Sequence, residues 1–187
     1  MISLIDNRTC GPCFECCIHT GVEAKASDGR IGLRTYPGKT CVHLAPDRPG
    51  EACAVYAKRP HACERYKCVW LQGILPDEDL RPDISGVILG FYDTENEGKP
   101  TSATITICDI EKSGLLGDVT NPLGRILSFT TQIVNDVKIV DYKTREVTYL
   151  RDGKVYQGKL ANKSSGPESL EFTFGASIGT YKLKELK

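Results

Sequence analysis

The spacing of hydrophobic and polar positions changes character part-way along the chain. Beyond residue 80 it alternates, which predicts a run of strands: ISGVILGFYD, SATITICDI, NDVKIVDY, REVTYLR, GKVYQGKL, SLEFTF and TYKLKEL. One stretch breaks this period of two. Leu123, Ile126, Leu127, Thr130, Ile133 and Val134 recur every three or four residues, behind an Asn121 suited to capping and a Pro122 suited to the first helical position. A helix over about 121–135 is expected there. Asp152-Gly153, between two strand patterns, predicts a tight hairpin, and KSSGPES (Lys163 to Ser169) predicts a loop.

Ahead of residue 80 the pattern is weak. IGLRTYP (Ile31 to Pro37) alternates like a strand behind a turn at Ser27 to Gly29. Pro60 is placed to open a helix carrying HACERYKCVWLQG, on which Cys63 and Cys68 would be five residues apart and off a common stripe. At least one of them then belongs at a helix end. ILPDEDLRPD (Ile74 to Asp83) reads as a connector, and its acidic triplet Asp77, Glu78 and Asp79 as a solvated turn. The expected organisation is a cysteine-rich module over residues 1–80 and a strand-rich part with one main helix over 81–187, either separate or packed together as one unit. The fold class is α+β.

With 187 residues and 40% hydrophobic content, the chain suffices for one sizeable core or two small ones. Basic and acidic residues both number 24, so no global field favours nucleic acid and no such partner is expected. Through Leu75 there are ten basic and seven acidic residues, leaving fourteen and seventeen after it, so the cysteine-rich part is formally +3 and the rest −3. Met1 to Thr9 lacks the basic start, apolar run and cleavage site of a signal peptide, and apolar stretches such as GVILGF are too short to span a bilayer. A cytoplasmic location without a membrane partner is the expectation. In a reducing compartment, clustered cysteines are more often metal-binding or catalytic than cross-linked.

Cysteine placement changes the picture most. Eight of the nine cysteines fall between Cys10 and Cys68, opening with CGPCFECC, which puts Cys10, Cys13, Cys16 and Cys17 within eight residues. Cys41, Cys53, Cys63 and Cys68 complete the set. Eight thiolates are enough for two closed zinc sites of four sulfurs each, or for one iron–sulfur cluster with ligands to spare. Such a unit needs little apolar core, because ligand bonds hold what burial cannot. Eight thiolates on two divalent ions add a net −4, and Arg30, Arg34, Lys58, Arg59, Arg65 and Lys67 are near enough in sequence to neutralise it. Adjacent side chains diverge, so Cys16 and Cys17 should serve different metals, or only one of them is a ligand. All three histidines, His19, His43 and His61, share the region, and His43 and His61 are alternate zinc ligands beside Cys41 and Cys63. Cys108, alone in SATITICDI, reads as a small buried hydrophobe.

CGPC is also the redox centre of thioredoxins, but no Trp precedes Cys10, no βαβ pattern leads into it, and two further cysteines follow. The spacing also departs from the bacterial ferredoxin run. There is no Gly-rich nucleotide loop and no acid–base set away from the cysteines, so no catalytic residue is assigned.

The order CGPCFECC, CVHL, CAVYAKRPHACERYKC resembles the CxxCxxCC cysteine-cluster family, the YkgJ-like zinc- or iron-chelating proteins, over roughly residues 10–90. Cys41, Cys53, Tyr56, Arg59, Pro60, Cys63, Tyr66 and Cys68 fall on that pattern position by position. The resemblance implies metal binding more than a reaction, although some members are described as iron–sulfur oxidoreductases and a related cluster occurs in flagellin lysine methylases. The leading expectation is a non-catalytic thiolate-zinc protein with about two ions, in a structural or protein-interaction role, met by a protein partner or a larger assembly. One alternative is an iron–sulfur redox or protein-modifying enzyme. The other is a structural subunit of a large assembly such as a viral particle.

Overall fold

Where the hydrophobic pattern is weakest only short elements form, and where it alternates a sheet forms. The computed structural model describes residues 8–21, 23–25, 31–34, 37–47, 51–92, 100–160, 172–174 and 179–180. It divides into two compact units, Met1–Ile84 and Ser85–Lys187, and has the α+β composition expected. The turn at Ser27 to Gly29, the loop over 163–169 and most of TYKLKEL lie outside the described residues.

In the first unit, α1 (Glu15–His19) precedes an antiparallel ribbon of β1 (Glu23–Lys25) and β2 (Ile31–Arg34), and α2 (His61–Arg65) follows. Among the described residues from Arg8 to Tyr66, Ala52 is the one buried apolar side chain. The buried apolar group comes later, with Val69, Trp70, Leu75 and Leu80. Arg8 ties the chain start to it: its guanidinium lies 4.2 Å over the Trp70 ring and donates to the carbonyls of Trp70, Leu75 and Pro76 at 2.8, 2.7 and 2.8 Å.

The helix opened by Pro60 is shorter than expected. Tyr66 turns extended (φ −72°, ψ 123°), so Cys63 lies on α2 and Cys68 beyond its end. Tight turns then take over, with the Gln72 N–H on the Cys68 carbonyl at 3.0 Å and Gly73 at φ +75°. The connector contains a 3₁₀ turn, Glu78–Leu80, and α3 (Pro82–Ser85). Asp77, Glu78 and Asp79 are exposed there, with Glu78 3.1 Å from Arg81.

The second unit is a mixed sheet. Five long strands, β3 (Val87–Tyr92), β4 (Ser102–Ile107), β5 (Asp136–Asp141), β6 (Glu146–Arg151) and β7 (Lys154–Leu160), lie side by side in chain order. The short β8 (Phe172–Phe174) and β9 (Gly179–Thr180) both pair with β7. All neighbours are antiparallel except β4 and β5. A parallel pair needs a long crossover, and here it carries α4 (Ile110–Ser113) and α5 (Pro122–Thr131). Two short connections close the other side. Asp152 (φ 50°) and Gly153 (φ 71°) form a two-residue turn with both φ positive, the twist that suits a hairpin. At the β5–β6 turn the Asp141 carboxylate accepts from the N–H groups of Lys143 and Thr144 at 2.8 and 3.1 Å.

In α5, the Asn121 side chain accepts from the Gly124 N–H at 2.8 Å and its amide donates to the Leu115 carbonyl at 2.8 Å. Leu123, Ile126, Leu127 and Thr130 are buried, and the helix packs on β3 and β5. It ends at Thr131, four residues before the expected 135. Ile133 and Val134 keep the apolar spacing but sit in a closing turn, their N–H groups both on the Thr130 carbonyl at 3.0 Å. Cys108 likewise departs from expectation. The strand ends at Ile107, Asp109 caps α4, and Cys108 between them is half-buried, with its N–H on the Gly86 carbonyl at 2.8 Å.

Gly124 has no room for a side chain, because a Cβ there would overlap the Asp118 carbonyl. Ala in place of a helix glycine normally gains up to about 1 kcal/mol. The Gly124→Ala change should instead lose about 1–3 kcal/mol, as overpacking does. The urea midpoint of the second unit's unfolding checks this, and a midpoint that rises would show that the 115–121 loop yields freely.

Candidate metal centre

Short elements and turns of the first unit deliver the cysteines one or two at a time. Cys10 and Cys13 bracket a turn in which Gly11 takes φ +52° and the Cys13 N–H donates to the Cys10 carbonyl at 2.9 Å. Cys16 and Cys17 lie on α1. The Cys41 N–H donates to the Cys17 carbonyl at 2.8 Å, so the next cysteine is tied to that helix through the backbone. An isolated bridge pairs Leu44 with Cys53, flanked by Ala45 N–H on Ala52 at 2.8 Å and Ala54 N–H on His43 at 2.9 Å. Cys63 is on α2, its N–H on the Pro60 carbonyl at 2.8 Å, and Cys68 follows.

These local bonds bring all eight cysteines to one cavity of about 110 Å³. His43, Glu51, Tyr56 and Arg59 line it too, and Phe14, Tyr66 and Trp70 supply aromatic walls. His61 is exposed and outside the lining, while His19, also outside it, lies 3.4 Å from Glu15 on α1. Of the basic residues expected to offset charge, Arg59 lines the cavity, its guanidinium 4.0 Å over the Tyr56 ring. Lys58 and Lys67 are exposed, and the side chains of Arg30, Arg34 and Arg65 lie outside the described residues.

Burial dominates the electrostatics. It pushes Cys13 and Cys17 up to about 12 and Cys68 to about 11, and raises Cys16 well above the ordinary thiol range, with neighbouring thiolates adding to the effect. Burial also raises Cys10 and Cys63, but there the positive charge of Arg59 works against it, and a Tyr56 hydrogen bond eases Cys10 further. The thiols that repel each other identify neighbourhoods. Cys16 is repelled by Cys68, Cys13, Cys17 and Cys10, and Cys17 by Cys41, Cys53, Cys10 and Cys63. Apart from each other and Cys10, the two adjacent thiols thus interact with different sulfurs.

The donor set is soft, anionic when ionised, and enclosed, which fits zinc or an iron–sulfur cluster. The sulfurs ring the space without closing on a point. Within the first unit, no three described His, Cys, Asp or Glu side chains have ligand atoms all within 4.8 Å of one another. Zinc with sulfurs at about 2.3 Å would hold them nearer than that. Glu51 is the lining residue that sequence reasoning missed, since one acid two positions before a cysteine carries no spacing signal.

Comparison with family models, curated proteins and solved structures found no match to this chain. Among the described residues, no helix is long and apolar enough to cross a membrane.

Thiols raised above their ordinary value of 9.0 hold their protons at neutral pH, so any cation entering as a thiolate complex must expel them. Apparent affinity should therefore rise with pH, by up to about tenfold per unit for each thiol that becomes a ligand. Competition against a chelator from about pH 6 to about pH 8, corrected for the chelator's own protonation, measures the slope. An affinity flat across that range contradicts thiolate ligation.

Proposed function

We propose that the first unit is a thiolate metal centre that shapes a surface for a protein partner, without turning over a substrate. The observation that carries this reading is the convergence of eight cysteines, spread over 59 residues of sequence from Cys10 to Cys68, on one cavity. A nearly coreless segment supports it. From Arg8 to Tyr66 the described residues bury one apolar side chain, and metal–ligand bonds are the usual substitute where burial is insufficient. About two zinc ions suit the donors: Cys13, Cys16 and Cys68 with Cys10 on one side, and Cys17, Cys41, Cys53 and Cys63 on the other. The order of the cysteines, with its resemblance to zinc- and iron-chelating proteins, agrees.

A second reading, an iron–sulfur centre with redox or protein-modifying activity, is favoured by one observation. The eight sulfurs surround a single space and do not gather in threes within 4.8 Å. A cluster with several irons spaces its cysteines more widely than one zinc ion does, because each sulfur binds a different metal atom.

Metal analysis and an absorption spectrum of anaerobically purified protein separate these readings. Zinc predicts about two equivalents and no visible colour, by the rule of four thiolates per closed site. Sulfur-to-iron absorption with acid-labile sulfide overturns zinc in favour of the cluster, and protein with no stoichiometric metal overturns both. Cys10→Ser or Cys63→Ser should lose metal and disorder the first unit, whereas Cys108→Ser should leave metal content unchanged.

A further inference from the structure

Eight sulfurs are not the whole donor set. We propose that Glu51 is an oxygen ligand of the metal centre, its carboxylate taking the place of one thiolate on a four-coordinate ion. This rests on the metal reading above.

The carboxylate lines the same cavity as the eight cysteines, and its Oε2 is buried with no hydrogen-bond partner. A buried carboxylate oxygen left bare is costly, and placing it among thiols makes matters worse as they ionise. Among neighbouring charges, Glu51 acts most strongly on Cys10, and it acts as a repulsion. The cation of the lining, Arg59, lies 4.0 Å over the Tyr56 ring. The backbone nevertheless holds the carboxylate in place. Ala52 and Cys53, the two residues that follow, are pinned to Ala45 and Leu44 by a hydrogen bond of 2.8 Å and an antiparallel bridge.

A divalent cation between Glu51 and the sulfurs turns these unfavourable terms favourable, because the repelling anions then share one positive charge. A mixed sulfur and oxygen set selects borderline ions, zinc or ferrous iron, over soft monovalent copper. The carboxylate is also the member most easily displaced by water or an incoming anion, which makes this position the exchangeable one.

Zinc-edge X-ray absorption of the full chain, loaded anaerobically with zinc, tests the assignment. The expected result is a light-atom shell at about 2.0–2.2 Å beside the sulfur shell. Glu51→Ala should lose that shell, and Glu51→Gln, which keeps the side-chain shape, should bind zinc at least about tenfold more weakly in chelator competition, no less than the loss of an outer partner costs. An all-sulfur shell in the wild-type protein overturns the Glu51 assignment and leaves the metal centre standing, and so does a light-atom shell that survives Glu51→Ala, which points to His43. Wild-type protein that takes up no zinc and carries no iron overturns the metal centre and this inference together. Should Glu51→Ala fail to fold, the wild-type spectrum and the Glu51→Gln affinity still decide.

Discussion

A buried thiol resists ionisation, and the first unit gathers eight cysteines around one space, while its described residues from Arg8 to Tyr66 bury one apolar side chain. Several local features of that unit present sulfurs to a common space. The Gly11 turn sets Cys10 and Cys13, five residues of α1 set Cys16 and Cys17, and the Leu44–Cys53 bridge sets Cys53. None of these pieces could stand alone, since helices of one turn are far below the length at which a helix is stable in water. On the reading proposed above, ligand bonds to the sulfurs add what the buried group around Trp70 does not supply.

The second unit meets the same entropy cost by the ordinary route. Val87, Ile88, Leu89, Ile105, Val137 and Val140 are buried on the sheet, and Leu123, Ile126 and Leu127 cover it from α5. Its one unusual step, the parallel pairing of β4 and β5, obliges the chain to cross over, and the crossover supplies the covering helix. The tight packing of Gly124 against the Asp118 carbonyl shows how closely that crossover is fitted.

Legibility in the sequence divides along the same line. Alternation located the five long strands to within three residues at each end, because each side chain's face is fixed by a local period. Asn121 and Pro122 marked the start of α5, since capping is also local. Its end was overrun, because Ile133 and Val134 satisfy helical spacing while their N–H groups belong to a turn. In the cysteine-rich part, the crowding of thiols was visible but their grouping was not. Spacing cannot tell that Cys41 bonds back to Cys17 or that Cys68 comes to lie beside Cys16, for these depend on turns with no hydrophobic period. Arg8 and Glu51 were invisible for a related reason. A single charged residue acts through a partner tens of residues away, as Arg8 does on Trp70, or through the cavity it faces.

Charge is distributed unevenly around the cavity, and the unevenness gives the centre a direction. Arg59 is the one lysine or arginine in the lining, and it favours ionisation at Cys10 and Cys63. Cys13 has Arg81 and two backbone hydrogen bonds in its favour, whereas Cys16 is hindered by burial and by four other thiols. Cys10 meets the positive charge of Arg59, a hydrogen bond from the Tyr56 phenol and the repulsion of Glu51, and it is the one thiol that acts on both Cys16 and Cys17.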